Sequence, residues 1–342
     1  MDVKLPFGLR NDRLVYIDDV KRGLACGCVC PSCKQPLIAK KGPKTVHHFS
    51  HSNENCNNAF ETALHIAAKD ILNQNRKIII PKVRWRIEGT NNYWTLTEEK
   101  ELNFDEVILE SYQDGVIPDV FVVINGKKLM IEITVTHETS QLKIEKVRRK
   151  GVSILEIDLK EYKRNFIKEK LDDDIINNPS NKKWMLNMEL EKIETLSKNR
   201  NVVQYLNCYY NNNYYEQDPS SNFGPRCPKE NGDRISYEKC SECEFCMGIL
   251  LEEKFIKCSY KSRIKSYKDL KNYARNPSAY LDKIEREEQL KLELIDEMIE
   301  IHKDLRLYIN SKELNKKSFN DIKQLHKSTL DHHYKRNQLT LF

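Results

Sequence analysis

Two acidic residues stand where acidic residues are costly. Ile117-Pro118-Asp119-Val120 leads into the apolar run Phe121-Val122-Val123-Ile124, and Leu129-Met130-Ile131 leads into Glu132. Large and β-branched apolar side chains over these runs, with Asn125-Gly126 between them, are the signature of a tight β-hairpin. The hairpin sets Asp119 and Glu132 near the ends of two adjacent, otherwise apolar strands. An unpaired buried carboxylate is too costly to keep. Each of the two therefore needs a basic partner or a divalent metal ion.

Cysteine is the second source of chemistry. Of eleven cysteines, Cys26, Cys28, Cys30, Cys33 and Cys56 lie near the start of the chain, and Cys227, Cys240, Cys243, Cys246 and Cys258 form a later group; Cys208 stands apart. The N-terminal residues do not resemble a signal peptide, and no run of about 18 apolar residues could span a bilayer. The expectation is a soluble, cytoplasmic protein with no membrane contact, in which thiols serve metals rather than disulfides. Cys30-Pro31-Ser32-Cys33 aims two thiolates at one point, and His47-His48-Phe49-Ser50-His51 follows. Either His48 with His51, or His51 with Cys56, would complete a closed, structural zinc site. Cys26 and Cys28 are buried small residues or competing thiols. In the later group, Cys227-x12-Cys240-x2-Cys243-x2-Cys246-x11-Cys258 has metal-ligand spacing. Four of these five would make a zinc ribbon, and an iron–sulfur cluster is the rival.

The elements that must position these residues follow from periodicity. Leu64, Ala67, Ala68, Ile71 and Leu72 predict a helix over 60–74. Glu61, His65 and Lys69 fall one turn apart on one face of it. Strands are expected over 77–86 with a break at Pro81, then over 93–97 and 107–112, before the hairpin. Residues 137–150 read as a basic helix carrying Lys143, Lys146, Arg148, Arg149 and Lys150, with Gly151 after it as a cap. Residues 152–159 read as a buried strand in which Glu156 and Asp158 cap the sheet end. That order gives an α/β fold, an α/β/α sandwich whose last strand runs parallel to a neighbour. His65 reads as a core histidine, and Asp114 before Gly115 as a turn residue.

The motifs occur in a fixed order. Cys30-x-x-Cys33, His48-Phe49-Ser50-His51 and Glu61-x3-His65-x3-Lys69 precede Pro118-Asp119-Val120. Glu132-Ile133-Thr134-Val135-Thr136-His137, Lys143-Ile144-x-Lys146 and Glu156-Ile157-Asp158-Leu159 follow. Over residues 1–165 this set resembles the competence protein CoiA-like family, PD-(D/E)xK nucleases with an N-terminal zinc knuckle. The resemblance implies a restriction-endonuclease-like core. In it Asp119, Glu132 and the Ile133 carbonyl hold Mg²⁺ or Mn²⁺, with Glu61 as a further carboxylate or as a solvated helix residue. The superfamily's lysine two residues after the glutamate is Thr134 here, so Lys143 or Lys146 must supply that charge.

The remainder is less chemical. Residues 166–225 are polar, with Tyr209, Tyr210, Tyr214 and Tyr215 in an asparagine-rich linker. Lys254, Lys257, Lys261, Arg263 and Lys265 surround the last cysteines as a DNA-facing patch or a solubilising surface. Leu281, Ile284, Leu292, Ile295, Ile299, His302, Leu305 and Ile309 form a stripe at helical period. It would serve internal packing, a homo-oligomer or another protein, and the polar tail after Lys312 would fray. Five regions result: a zinc module at 1–58, a nuclease-like domain at 59–165, a polar helical linker at 166–225, a cysteine-rich module at 226–262 and a helical region at 263–342. A formal net charge of +6 permits DNA binding without demanding it. The expected function is metal-dependent DNA cleavage in DNA uptake, recombination or defence. The alternative is a catalytically degenerate DNA-binding protein. A purely structural interaction protein would leave Asp119 and Glu132 without a reason.

Overall fold

A computed structural model of the chain describes residues 4–51, 56–109, 116–136, 138–207, 225–250, 252–253, 255–304 and 310–339. Asp114, His137, Cys208, the four linker tyrosines, Lys254, Leu305 and Ile309 fall outside that set. The chain divides into two units: residues 1–85 with 95–195, and residues 86–94 with 196–342. The protein is mixed α/β, with several small sheets. No helix among the described residues is long and apolar enough to cross a membrane.

The first unit opens with two hairpins, β1 (Phe7–Arg10) with β2 (Arg13–Tyr16), and β3 (Leu37–Lys40) with β4 (His48–His51). Helix α1 (Ala59–Asn75) follows where the periodicity puts it. Pro81 divides β5 (Lys77–Ile80) from β6 (Val83–Arg86), and β7 (Tyr93–Thr97) and β8 (Lys100–Asn103) come next. The main sheet has five strands in the order β13-β12-β11-β10-β9. They are β9 (Glu106–Leu109), β10 (Val120–Ile124), β11 (Lys127–Thr134), β12 (Ser153–Asp158) and β13 (Lys182–Leu186). The β10–β11 turn is built as its sequence requires, with φ of 48° at Asn125 and 73° at Gly126. Helix α2 (Gln141–Arg148) starts later than the basic stretch suggests, because Ser140 caps it by accepting the Lys143 N–H. It carries the chain from β11 to β12, which pair in parallel.

Alternation along the strands separates two cores. Val120, Leu129, Ile131, Ile133, Leu155 and Ile157 face α1 and α3 (Lys168–Ile176). Phe121, Met130 and Ile154 face α2 through Ile144 and Val147. Helices thus cover both faces of the sheet. The first core also includes Phe7, Cys26, Cys28, Cys30, Leu37 and Phe49, so the N-terminal hairpins share it. Past residue 165 the polar sequence is still structured. Leu171, Ile175 and Ile176 bury α3, Leu186 buries β13, and Ile193 buries α4 (Met188–Leu196).

The second unit holds a three-stranded sheet, β14 (Gln204–Asn207), β16 (Phe255–Cys258) and β15 (Cys246–Leu250), with the short α5 (Tyr237–Ser241) before β15. Four helices follow: α6 (Tyr267–Arg275), α7 (Pro277–Asp304), α8 (Ser311–Asn315) and α9 (Phe319–Leu339). The expected stripe is shifted in the structure. Ile295 is buried, but Leu292 is 49% exposed, and Met298 takes a core position beside Leu314 and Ile322. Among the described residues the chain past Lys312 is helical rather than frayed, and Ile322 docks α9 on α7.

Candidate functional site

The first constellation joins the knuckle to β4 and to the start of α1. A tight turn, with Lys34 N–H donating to the Cys30 carbonyl at 3.1 Å, brings Cys33 back toward Cys30. Lys34 adopts a left-handed φ of 62° to complete it. Ligand atoms of Cys30, Cys33, His51 and Cys56 all lie within 4.8 Å of one another, and Cys33 Sγ is 3.3 Å from His51 Nε2. Burial pushes the Cys30 thiol up to about 11 against hydrogen bonds from the Cys33 and Ser32 backbone. Burial also raises Cys56, but hydrogen bonds from Ser32, the Asn58 N–H and the Cys30 and Cys33 side chains outweigh it and lower that thiol. Three sulfurs and one imidazole at this spacing suit zinc, and four protein donors leave no open position for chemistry.

Of the two ways to complete the site, the structure assembles His51 with Cys56. His48 is not in the group. It lies three residues before His51 on one strand, so the pleat turns it to the other face. There its Nδ1 sits 2.9 Å from the Val46 carbonyl oxygen. Cys26 and Cys28 are core residues, with thiols donating to the Leu37 and Cys26 carbonyls.

The second constellation is acidic. Val120 pairs with Ile131, so Asp119 lies opposite Glu132 one step beyond the ladder. Backbone binds them to each other: the Asp119 N–H donates to Glu132 Oε1 at 3.3 Å, and the Ile133 N–H donates to Asp119 Oδ2 at 2.9 Å. It is thus the Ile133 amide that meets Asp119. Each carboxylate has its own basic partners. Asp119 Oδ1 is 3.3 Å from His65 Nδ1 and 3.2 Å from Lys69 Nζ, both on α1. Glu132 Oε2 is 2.6 Å from Lys143 Nζ on α2. Both acids are largely buried, and their environments push them apart. Burial would raise Asp119, but His65, the Ile133 N–H and Lys69 overcome it and hold the carboxyl at about 2. For Glu132 burial wins over Lys143, and the carboxyl is raised.

Other expected residues find different places. Glu61 Oε2 accepts from the Thr136 hydroxyl at 2.7 Å, which also accepts from Lys163 Nζ at 3.1 Å, so Glu61 stands at the end of β11. Lys146 is exposed. Glu156 is buried, level with Glu132 on β12, and its Oε2 lies 3.3 Å from the Thr139 hydroxyl that donates to it. Lys257 does not join an exposed patch: its side chain is 6% exposed and paired with Glu88 at 3.1 Å. The role of Lys69 is what sequence reasoning missed, and the turn-by-turn ladder from Glu61 through His65 was its signal. Cys227, Cys240, Cys243, Cys246 and Cys258 gather in the second unit. Among the described residues, only the N-terminal group closes to 4.8 Å.

The site therefore belongs to a mixed α/β protein with a Cys₃His group and a separate acidic pair. Residues 21–59 match the family model of the competence protein CoiA N-terminal domain, a stretch that includes all four residues of the Cys₃His group. No curated protein and no solved structure matches the chain.

Proposed function

We propose that the first unit is a metal-dependent DNA nuclease of the PD-(D/E)xK kind, acting in competence-related DNA uptake, recombination or defence. One observation carries the reading: Asp119 and Glu132 meet across a hairpin with Lys143 on the glutamate. Thr134 has no charge to give, and the helix after the hairpin delivers one to the same carboxylate. Two strand-end carboxylates suit a hard cation. Mg²⁺ or Mn²⁺ held by them would supply Lewis-acid activation of water against a phosphodiester. Lys143, released from Glu132 when that oxygen is engaged, would offset charge on the phosphate. Lys69 and His65 would hold the Asp119 rotamer. Exposed Lys146, Arg149 and Lys150 at the end of α2 would meet the DNA backbone.

A second reading also has an observation in its favour. Each carboxylate already has a cation in contact, which is how a nuclease fold that binds DNA without cutting it would be stabilised. Incubating the purified chain with linear, circular and single-stranded DNA separates the two. Cleavage with Mn²⁺ that stops in EDTA and with Asp119→Ala supports the enzyme. Binding with no cleavage under any divalent cation supports the degenerate form.

A further inference from the structure

The cysteines of the second unit belong to neither constellation. Cys227, Cys240, Cys246 and Cys258 are buried and Cys243 is half-buried, and all five are free thiols. The backbone brings them round one spot. Cys246 on β15 lies directly opposite Cys258 on β16. Upstream, two consecutive turns wind the chain, with Cys243 N–H donating to the Cys240 carbonyl at 3.1 Å and Cys246 N–H to the Cys243 carbonyl at 3.0 Å. A turn every three residues returns each cysteine toward the same side. Cys227 sits in a loop closed by its own N–H to the Asp233 carbonyl and by Gly232 N–H to its carbonyl, both at 2.8 Å. Cys227 and Cys243 then line one open pocket, whose rim carries both basic (Lys229, Arg234, Lys239) and acidic (Glu230, Asp233, Glu242) side chains.

We infer that Cys227, Cys240, Cys243, Cys246 and Cys258 furnish a second, all-thiolate metal centre that staples the second unit. The donor set selects a thiophilic metal, either one zinc ion or iron in a sulfide cluster. Four thiolates suffice for either, and the fifth is spare. The local structure needs a staple. Helix α5 has five residues, too few to persist on backbone hydrogen bonds alone. The β15–β16 ladder is also broken by a register shift between Cys246 and Gly248. A metal there ties the Cys227 loop, α5 and the β15–β16 hairpin into one body. Because these thiols are spread more widely than the first group, the metal must either draw them in or bridge them through sulfide.

The test is independent of any nuclease activity. The full-length chain, produced with zinc and iron both supplied, is analysed for metal, acid-labile sulfide and visible absorption. Metal beyond the one equivalent of the Cys₃His group is expected. A Cys240→Ser/Cys243→Ser variant should lose that excess and keep the first equivalent, and Cys33→Ser should do the reverse. Zinc identifies a single ion and iron with sulfide a cluster; both sustain the centre. About one equivalent in the wild type, or a double variant that keeps the full content, overturns it. Should the variants not fold, capping every wild-type thiol with a mercurial must release more than one equivalent, and release of one alone also overturns the inference.

Discussion

Asp119 and Glu132 solve the same problem of buried charge with opposite results. Folding depresses Asp119 to about 2, so its contribution to stability is full above the ordinary carboxylate value and is lost as pH falls through the window from about 4 to about 2. That contribution is on the order of 2 kcal/mol. Asp119→Asn should flatten the acid limb of a stability–pH profile measured by urea unfolding; an unchanged limb would show that the His65 and Lys69 contacts do not matter. Glu132 is raised, so its contribution is full below the ordinary value and is lost as pH rises through its higher folded value. Lys143 is the group that limits this loss. Under the nuclease reading, Lys143→Ala should reduce the single-turnover cleavage rate by ~10²–10³-fold, with DNA affinity nearly constant. Exposed Lys146 has no such contact with Glu132, and Lys146→Ala should change the rate far less.

Helix α2 is the element on which that charge depends. It has eight residues, begins at the Ser140 cap and reaches the sheet through Ile144 and Val147. Lys143 is in its first turn, where fraying would be greatest. Ser140→Ala should cost about 1 kcal/mol. It should also slow cleavage more than that modest destabilisation would suggest, because the loosened turn carries the lysine. A thermal melt and a rate measured well below the melting temperature distinguish the two effects; a slower melt-corrected rate is the expected outcome. Helix α1 plays the matching part on the other side, with Glu61, His65 and Lys69 spaced one turn apart along the edge where β10 begins and β11 ends.

At the scale of the whole first unit, the Cys₃His group is joined to the sheet. Cys30 is part of the same buried core as Leu64, Leu72, Val120 and Leu155. Zinc there should stabilise the unit as one cooperative body. Stripping it with a strong chelator should lower the melting temperature of the sheet as well, read from the tryptophans Trp85 and Trp184. The ligand set gives a sharper check. His51→Ala should lose that zinc equivalent, whereas His48→Ala should keep it. Retention in the first variant and loss in the second would reverse the assignment of the imidazole.

The local pieces were legible from the residues alone, because their causes are local. Asn125-Gly126 fixes a hairpin through its positive φ, Pro81 breaks a strand by lacking an N–H, and the CxxC knuckle turns on itself. Under the nuclease reading the residues also narrowed the charge that stands in for Thr134 to two lysines. Which of Lys143 and Lys146 meets Glu132 needed the start of α2, which puts Lys143 in its first turn. The choice between His48 and His51 needed the knowledge that residues 48–51 form a strand, since only a pleat puts residues three apart on opposite faces. The pairing of Lys69 with Asp119 joins residues fifty apart in the chain. The helical spacing from Glu61 through His65 puts Lys69 on the right face of α1, but the contact itself exists only because α1 packs over the sheet edge, a long-range packing that no local pattern specifies.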